Sequence, residues 1–367
     1  MKIKYVDLAK SNSEYLEDYQ KILKRICSKG EFADPDGYEV KTFEKNFSKF
    51  IHSKYCVAVN SGSSALYLAL KSLKLKKDDE IITVAHSYVA TVNSILLNNL
   101  KPIFCDIKDD LTIDEKDLKR KISNRTKAII IVHIQGTPVN LNKVISVVKK
   151  YNIKIIEDCA QSIGSKYKNK HVGTFGEIGC YSFHPLKNLS ALGDAGMITT
   201  KSKKTYNWLL KARINGHPNR DECDFPSHNM RISNLQAGFL DFKLKYLNQK
   251  VINKRRKIAK YFYKNLKNFV FIPPETKNSL STYHTYIIQT NKRNKLRDYL
   301  KSKNIDTKIH YPKPIHLMNY YRKNFKVKLK NTEKIAKRIL SLPINENLKN
   351  KEIEYIVFHV KNFFLKL

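Results

Sequence analysis

The sequence contains no apolar run long enough to cross a bilayer. Hydrophobic residues make up 42% of the 367 residues, but no stretch approaches the roughly 18 to 20 apolar residues that a spanning helix needs. The first residues also lack the continuous apolar core of a secretory signal, because Glu14, Glu17 and Asp18 follow early. We therefore expect a cytoplasmic protein with no membrane partner.

Closely spaced cysteines are also absent. The six cysteines are scattered singly, with no Cys-x-x-Cys pair and no cluster with histidine at zinc spacing: Cys27, Cys56, Cys105, Cys159, Cys180 and Cys223. This pattern argues against a disulfide framework and against a structural metal ion. We interpret the cysteines as reduced core residues and predict no metal site.

Acidic residues are scarce, with 33 Asp and Glu against 69 Lys and Arg, for a formal net charge of +36. Such a charge raises the hypothesis of nucleic-acid or membrane binding. No glycine-aromatic RNA motif, zinc finger or helix-turn-helix accompanies it, so we expect no nucleic-acid partner. A lysine-rich solvated surface explains the charge, and a field that steers an anionic substrate is the alternative.

Short β-branched runs alternate with helical patterns between Tyr55 and Thr200, which is typical of a parallel sheet with crossover helices. A long helical stretch follows from Ser233, and then short strands, a proline-containing loop and a terminal helix. The sequence predicts an α/β fold with two domains. We place a large domain with an N-terminal helical segment at 1–245, and a smaller C-terminal α+β domain at 246–367.

Three segments offer side chains for chemistry. Lys187 lies in SFHPLKNLSALGDAGMITT, between two apolar strands; IIEDCAQ brings Asp158 to the carboxyl end of a predicted strand; and VNSGSSAL joins a strand to a helix at Ser61–Ser64. Open α/β sheets bind ligands at the carboxyl ends of their strands, and a helix amino terminus can bind phosphate. Taken alone, each segment has an ordinary explanation, because such a lysine is usually a surface residue and such serines often only begin a helix.

The order of these segments is more specific. The chain resembles the DegT/DnrJ/StrS sugar aminotransferases in YVDL at Tyr5, SGSSALYLAL at Ser61, HSYVAT at His86, RTKAIIIVH at Arg125, IIEDCAQSIGS at Ile155, SFHPLKNLSALGDAG at Ser182, NMRISNLQAG at Asn229, IHYPKPIHL at Ile309 and LSLPINENL at Leu340. This resemblance covers nearly the whole chain. It implies the fold type I architecture of enzymes that use pyridoxal 5'-phosphate (PLP), with pyridoxamine 5'-phosphate formed between two half-reactions.

The resemblance assigns roles to residues at the matching positions. It implies that Lys187 is the Schiff-base lysine and that Asp158 pairs with the pyridinium nitrogen, which a buried carboxylate keeps protonated. The other predicted cofactor contacts are Gln161 beside the ring oxygen, Tyr88 stacked on the ring, and Gly62, Ser63 and Ser182 at the phosphate.

The resemblance also extends to a partner subunit and to the substrate. Asn229 matches an asparagine that completes the phosphate site of the neighbouring subunit, which implies a homodimer with shared active sites. His310 and Tyr311 match a segment near the sugar nucleotide. Loop packing remains the alternative for these two residues, and a core position remains the alternative for Tyr88.

The predicted reaction transfers the amino group of L-glutamate to a nucleotide-linked keto-sugar, in amino-sugar biosynthesis for a surface polysaccharide or glycan. The KNLSALGDAG form favours a 3-keto over a 4-keto sugar, while departures at Arg213–Gly216 and His133–Thr137 leave the sugar and the nucleotide open. A related PLP-dependent dehydratase is the first rival, although its family typically carries histidine at the position of Lys187. A regulatory nucleic-acid-binding protein on the same scaffold is the second rival.

Overall fold

A computed structural model describes residues 1–366. Within this range the strands are β1 Tyr55–Val59, β2 Glu80–Val84, β3 Lys101–Cys105, β4 Thr126–Val132, β5 Lys154–Asp158, β6 Lys166–Tyr167, β7 Lys170–His171, β8 Ile178–Ser182, β9 Gly196–Thr200, β10 Ser279–Leu280, β11 Tyr286–Gln289 and β12 Ile339–Leu342.

The α-helices in the described chain are α1 Leu8–Ser13, α2 Leu16–Lys29, α3 Tyr38–Ile51, α4 Gly62–Ser72, α5 Ala90–Leu96, α6 Glu115–Lys121, α7 Leu141–Val148, α8 Lys203–Ala212, α9 Asn234–Leu244, α10 Asn253–Leu266, α11 Arg293–Ser302, α12 Asn319–Asn324, α13 Lys330–Ala336 and α14 Asn350–Leu365. None of the helices in residues 1–366 is long and apolar enough to span a bilayer.

The predicted α/β class is confirmed by a seven-stranded sheet in the order β1-β9-β8-β5-β4-β2-β3. All neighbours pair in parallel except β9, which runs antiparallel to both β1 and β8. The carboxyl ends of β1, β2, β4, β5 and β8 therefore meet at one edge of the sheet. Any side chains that follow these strands are brought together there.

Both faces of this sheet are buried, which explains why its strands are nearly continuous apolar runs. Successive residues of β4 alternate between two cores, since Ile129 and Ile131 pack on one face while Ala128 and Ile130 pack on the other. Helices cover each face, and α4 begins directly after β1 with Ser61 as its N-cap. The sheet is therefore a rigid platform for the residues at its edge.

A separate apolar cluster forms around α10, α11, α14 and the β11–β12 pair. Ile3 belongs to it, so the amino terminus packs on the carboxyl-terminal part of the chain. Asp106, after β3, accepts hydrogen bonds from the amides of Asn331 and Thr332 and joins this part to the sheet. We propose a domain division near residues 245 and 246. The change of cluster itself falls between Ile252, which packs with the sheet, and Ile258, which packs in the C-terminal cluster.

Two expectations need correction in detail. The long helix predicted from Ser233 is divided, because a π-helical turn at Leu247–Ile252 separates α9 from α10. All six cysteines are free, but only four are core residues. Cys27 and Cys223 are exposed, because they lie on the outer side of α2 and on the surface loop after α8.

Candidate active site

A cavity of about 610 Å³ opens at the carboxyl edge of the sheet. One side, here called the sheet wall, is formed by Gly62, Ser63, Asp158, Ser182 and Lys187. Tyr5, Arg255, His284, His310 and Tyr311 also line the cavity, and are here called the outer wall. The side chains singled out in three separate sequence segments therefore lie around one volume.

The turn between β1 and α4 brings the amino terminus of a helix to the sheet wall. Ser61 caps α4 by accepting a hydrogen bond from the Ser64 amide at 3.1 Å, and Gly62 and Ser63 form the first turn of the helix. A Cβ atom on Gly62 would lie 2.7 Å from the Cβ of Ser182. Only glycine therefore lets the helix start approach the end of β8 this closely, with its amides free for an anion.

Lys187 lies on the loop between β8 and β9. The loop is held by backbone hydrogen bonds from Phe183 to Ala195 and from Ala191 to Phe183, and by the Lys187 amide, which donates to the His184 carbonyl at 2.8 Å. Burial lowers the pKa of the Lys187 amine to about 8, although the charge of Asp158 opposes the shift. With this pKa, about a tenth of the amine is unprotonated at pH 7 and about half at pH 8, and the unprotonated form is the one that acts as a nucleophile or base.

Asp158 ends β5 and is 4% exposed. Its Oδ1 accepts a hydrogen bond from the Ala160 amide at 3.1 Å, and its Oδ2 accepts one from the Thr91 hydroxyl at 2.8 Å. Burial raises the pKa of Asp158, while the hydrogen bonds from Thr91 and Ala160 and the charge of Lys187 oppose this shift. The carboxylate retains acceptor capacity toward the cavity, because four lone-pair directions serve only two protein donors.

The neighbouring carboxylate, Glu157, faces the other side of the strand and has a different environment. It accepts hydrogen bonds from the amides of Gly173, Phe175 and Gly176, each at 2.8 Å, and lies 3.1 Å from Nε2 of His133. Burial raises the pKa of Glu157, but these hydrogen bonds outweigh it and lower the pKa overall. Glu157 therefore fastens the loop before β8 and does not line the cavity.

Gln161 connects the two walls. Its Oε1 accepts from the Gln135 amide at 2.8 Å, and its Nε2 donates to the Tyr311 hydroxyl at 3.1 Å. His310 lies beside Tyr311 and shares a 2.9 Å hydrogen bond with Ser341 through Nδ1. Burial lowers the pKa of His310 to about 4, helped by the charge of Lys187, so this imidazole is neutral near pH 7.

Tyr88 and Asn229 occupy more open positions. Tyr88 lines the cavity but is 59% exposed, so it is not a core aromatic in this chain. Asn229 is exposed and does not line the cavity of its own chain. Its predicted position in the site of a neighbouring subunit stays a prediction, as does stacking by Tyr88.

Several cavity residues were missed by sequence reasoning. Thr91 lies three residues after Tyr88 in HSYVAT, so the motif contained a signal for it. Arg255 donates to Glu346 at 2.9 Å and to the carbonyls of Tyr283 and His284 at 3.2 Å each. Nothing near it in the sequence distinguishes it from the other basic residues of α10.

The comparisons with known proteins agree with this geometry. A sequence model of the DegT/DnrJ/EryC1/StrS aminotransferase family matches residues 14–361. The chain is 34% identical to a dTDP-3-amino-3,6-dideoxy-alpha-D-galactopyranose transaminase of Aneurinibacillus thermoaerophilus, over 98% of this chain and 99% of the relative.

Solved structures extend the similarity to three dimensions. The crystal structure of S. venezuelae DesV in complex with a ketimine intermediate superimposes with a TM-score of 0.96 at 26% identity, covering 100% of this chain and 99% of that one. The structure of ntda from Bacillus subtilis with bound cofactor pmp has a TM-score of 0.92 at 25% identity, covering 99% of this chain and 85% of that one.

Proposed function

Because the chain belongs to the DegT/DnrJ/EryC1/StrS aminotransferase family, whose members are PLP-dependent enzymes, we propose that it transfers the amino group of L-glutamate to a nucleotide-linked 3-keto sugar. The products are 2-oxoglutarate and an amino sugar nucleotide, made in the cytoplasm for a surface polysaccharide or glycan. The observation that carries this proposal is the convergence of Lys187, Asp158 and the glycine-serine turn on one cavity.

The donor set fits the cofactor. The start of α4 and Ser182 offer amides and hydroxyls to a phosphate and are here called the phosphate cup. An added Cβ at Gly62 would obstruct this cup. Asp158 offers a buried carboxylate to a cationic ring nitrogen, Gln161 offers an amide to the ring oxygen, and Lys187 offers an amine to an aldehyde. When bound, PLP supplies an aldehyde that condenses with amines and a pyridine ring that accepts electron density.

Lys187 has two tasks in the proposed reaction. Its amine, whose pKa is lowered to about 8, would hold the cofactor covalently. Once freed, the same amine removes the proton from the donor α-carbon and later delivers a proton to the sugar carbon. Its place on a hydrogen-bonded loop keeps the nitrogen oriented for both transfers.

Asp158 stabilises positive charge on the ring nitrogen. In a buried site an ionic contact is screened less than in water, so one carboxylate has a large effect on the protonation of its partner. The proposed task needs an ionised carboxylate with acceptor capacity toward the cavity, and Asp158 keeps this capacity beyond the bonds from Thr91 and Ala160.

The outer wall is the proposed contact surface for the sugar nucleotide. Neutral His284 and His310, the Tyr311 hydroxyl and Arg255 place donors and acceptors in the cavity that Lys187 lines. The net charge of +36 supports attraction of a dianionic diphosphate at long range. The relative from Aneurinibacillus thermoaerophilus is named for a 3-amino sugar, which supports amination at carbon 3.

We also propose a homodimer in which Asn229 of one subunit reaches the phosphate region of the other. Exposed apolar side chains around the cavity support this arrangement, since Leu186 and Leu192 flank Lys187 and Tyr88 stands at the rim. A partner that covered these residues would also complete the closure of the site.

The experiment is a panel of 3-keto and 4-keto sugar nucleotides carrying dTDP, UDP or GDP, each incubated with the purified protein and ¹⁵N-glutamate. Mass spectrometry should show ¹⁵N in a sugar nucleotide, with the greatest turnover for a 3-keto sugar. Loss of water from the sugar without ¹⁵N incorporation would instead identify a dehydratase. A colourless protein that binds DNA in a salt-dependent manner would replace the proposal with the regulatory alternative.

A further inference from the structure

Two hydroxyl groups connect Asp158 to a neighbouring part of the sheet edge. The Thr91 hydroxyl lies 2.8 Å from Oδ2 of Asp158, and the Ser87 hydroxyl lies 2.8 Å from the Thr91 hydroxyl. Thr91 is 1% exposed and Ser87 is 3% exposed, so water does not compete freely for either group. Ser87 also lines the cavity.

The charge on Asp158 determines the direction of these hydrogen bonds. An ionised carboxylate only accepts, so the single hydroxyl proton of Thr91 must point to Asp158. Thr91 is then left with acceptor capacity alone toward Ser87, and Ser87 must donate to it. The two hydroxyl groups are therefore aligned head to tail and end on the carboxylate, an order in which each hydrogen bond polarises the next.

The sheet order explains why these residues meet. Ser87 follows β2 and Thr91 lies in the first turn of α5, whereas Asp158 ends β5, and β4 runs between β2 and β5. β4 ends on Val132, an apolar residue that cannot donate to Asp158. Thr91 therefore reaches the carboxylate across the end of the intervening strand.

We propose that Thr91, supported by Ser87, is a positioning residue that fixes the charge and orientation of the Asp158 carboxylate beneath the cofactor ring. This inference rests on the proposed function of Asp158. A threonine that only filled space would be replaced by valine without consequence for the cofactor. A threonine that orients the carboxylate would not, because valine has the same shape and lacks the hydroxyl.

The burial of Asp158 makes the donor important. Burial is the largest influence on its pKa and acts upward, while the hydrogen bond from Thr91 is the first influence that acts downward. Removing the hydroxyl favours the neutral acid, which weakens the hold on a protonated ring nitrogen. Loss of a hydrogen bond to a charged group of this kind corresponds to about tenfold to hundredfold in an equilibrium or rate.

The experiment compares the holoenzyme of Thr91→Val, Thr91→Ser, Ser87→Ala and Thr83→Val with wild type. Thr83 is the matched control, because it is equally buried and its hydroxyl donates to the Ile130 carbonyl at 3.0 Å, away from Asp158. The readouts are the pH midpoint of the visible band of bound cofactor, the rate of the glutamate half-reaction and the melting temperature.

Thr91→Val should slow the half-reaction by about tenfold to hundredfold and move the midpoint to higher pH. The sign follows because a protonated ring nitrogen withdraws electrons and lowers the basicity of the nitrogen that joins Lys187 to the cofactor. Thr91→Ser should restore both readouts, and Ser87→Ala should shift them less in the same direction. Thr83→Val should change only the melting temperature.

A Thr91→Val protein with the midpoint and rate of wild type would overturn the inference, as would an equal shift in Thr83→Val. Ser87→Ala leaves the packing of Thr91 intact, so it tests the inference even if Thr91→Val does not fold. In that case, a pH midpoint of Ser87→Ala equal to that of wild type would count against the inference. A wild type that binds the cofactor but aminates no keto-sugar would contradict only the proposed substrate. A wild type with no visible band would remove both proposals.

Discussion

The two walls of the cavity differ in how they are built. The sheet wall takes its residues from turns that follow adjacent strands, and its main-chain hydrogen bonds leave little freedom. The outer wall takes Tyr5, Arg255, His284 and His310 from distant segments of the chain, where Arg255 is held by a side-chain hydrogen bond to Glu346 and His310 by one to Ser341. The difference suggests that cofactor chemistry is set by the sheet, while the segments packed over it set the choice of substrate.

The largest effect is expected from replacing Lys187. Lys187→Ala should abolish the visible band and reduce turnover by at least about 10³-fold, since it removes both the covalent link and the base. Lys243→Met is the matched control, because burial also lowers the pKa of Lys243 to about 8 but its amine donates to Ser190 outside the cavity. Retention of the band and turnover by Lys187→Ala would end the proposed mechanism.

Adjacent carboxylates give the next largest contrast. Asp158→Asn should lower turnover by about 10²- to 10³-fold with little change in melting temperature, because it removes a charge that faces the cavity. Glu157→Gln should instead lower the free energy of unfolding by about 2–4 kcal/mol, since its amide cannot accept from all three backbone donors. Thermal unfolding and steady-state kinetics would distinguish the two variants. Loss of turnover in Glu157→Gln and loss of stability in Asp158→Asn would contradict the assignment of Asp158 to the cavity.

The pH dependence of cofactor uptake tests the sheet wall alone. Only the unprotonated Lys187 amine attacks the aldehyde, so the uptake rate of the apoenzyme should rise about tenfold per pH unit below pH 8 and level off above it. His310, with its pKa lowered to about 4, and His284, lowered further below its usual range, do not titrate in this window. Stopped-flow absorbance measures the rate, and a midpoint near the ordinary lysine value of 10.5 would show that Lys187 is not desolvated.

A smaller effect is expected at the phosphate cup. Gly62→Ala places a Cβ 2.7 Å from Ser182, and relief of this clash at a cost of about 1–3 kcal/mol should weaken cofactor binding about tenfold to hundredfold. Gly193→Ala is the control, because its Cβ would come no closer than 3.4 Å to the flexible side chain of Gln236. Equilibrium titration of the apoproteins with PLP measures the affinity of both variants. Equal affinities would show that the phosphate does not bind at the start of α4.

Substitution in the outer wall should have the smallest effect, and the effect should be on KM for the sugar nucleotide. His310→Ala should raise KM for the sugar nucleotide about threefold to tenfold, the value of one lost hydrogen bond, and leave the visible band and the glutamate half-reaction unchanged. His359→Ala provides a control histidine, since it pairs with Tyr299 in the C-terminal cluster. A loss of cofactor affinity in His310→Ala would contradict the proposal that the sheet wall binds the cofactor and the outer wall binds the sugar nucleotide.

The α/β class, the alternation of strands and helices between Tyr55 and Thr200 and the family could all be predicted from the sequence, because apolar periodicity and ordered motifs are local properties that need no knowledge of contacts. β8 and β9 are the two apolar strands predicted on either side of Lys187, and α4 begins at the predicted turn with Ser61 as its N-cap. The roles proposed for Lys187 and Asp158 also rest on these local matches.

Other features became known from the tertiary structure alone. Glu157 binds the loop before β8, Thr91 donates to Asp158 across the end of β4, and Arg255 and His284 line the cavity. These facts depend on sheet order, strand facing and the packing of segments far apart in the chain. Two residues of the same type cannot be told apart by their chemistry in the sequence. Their environments differ only after folding places donors, apolar groups and charges around them.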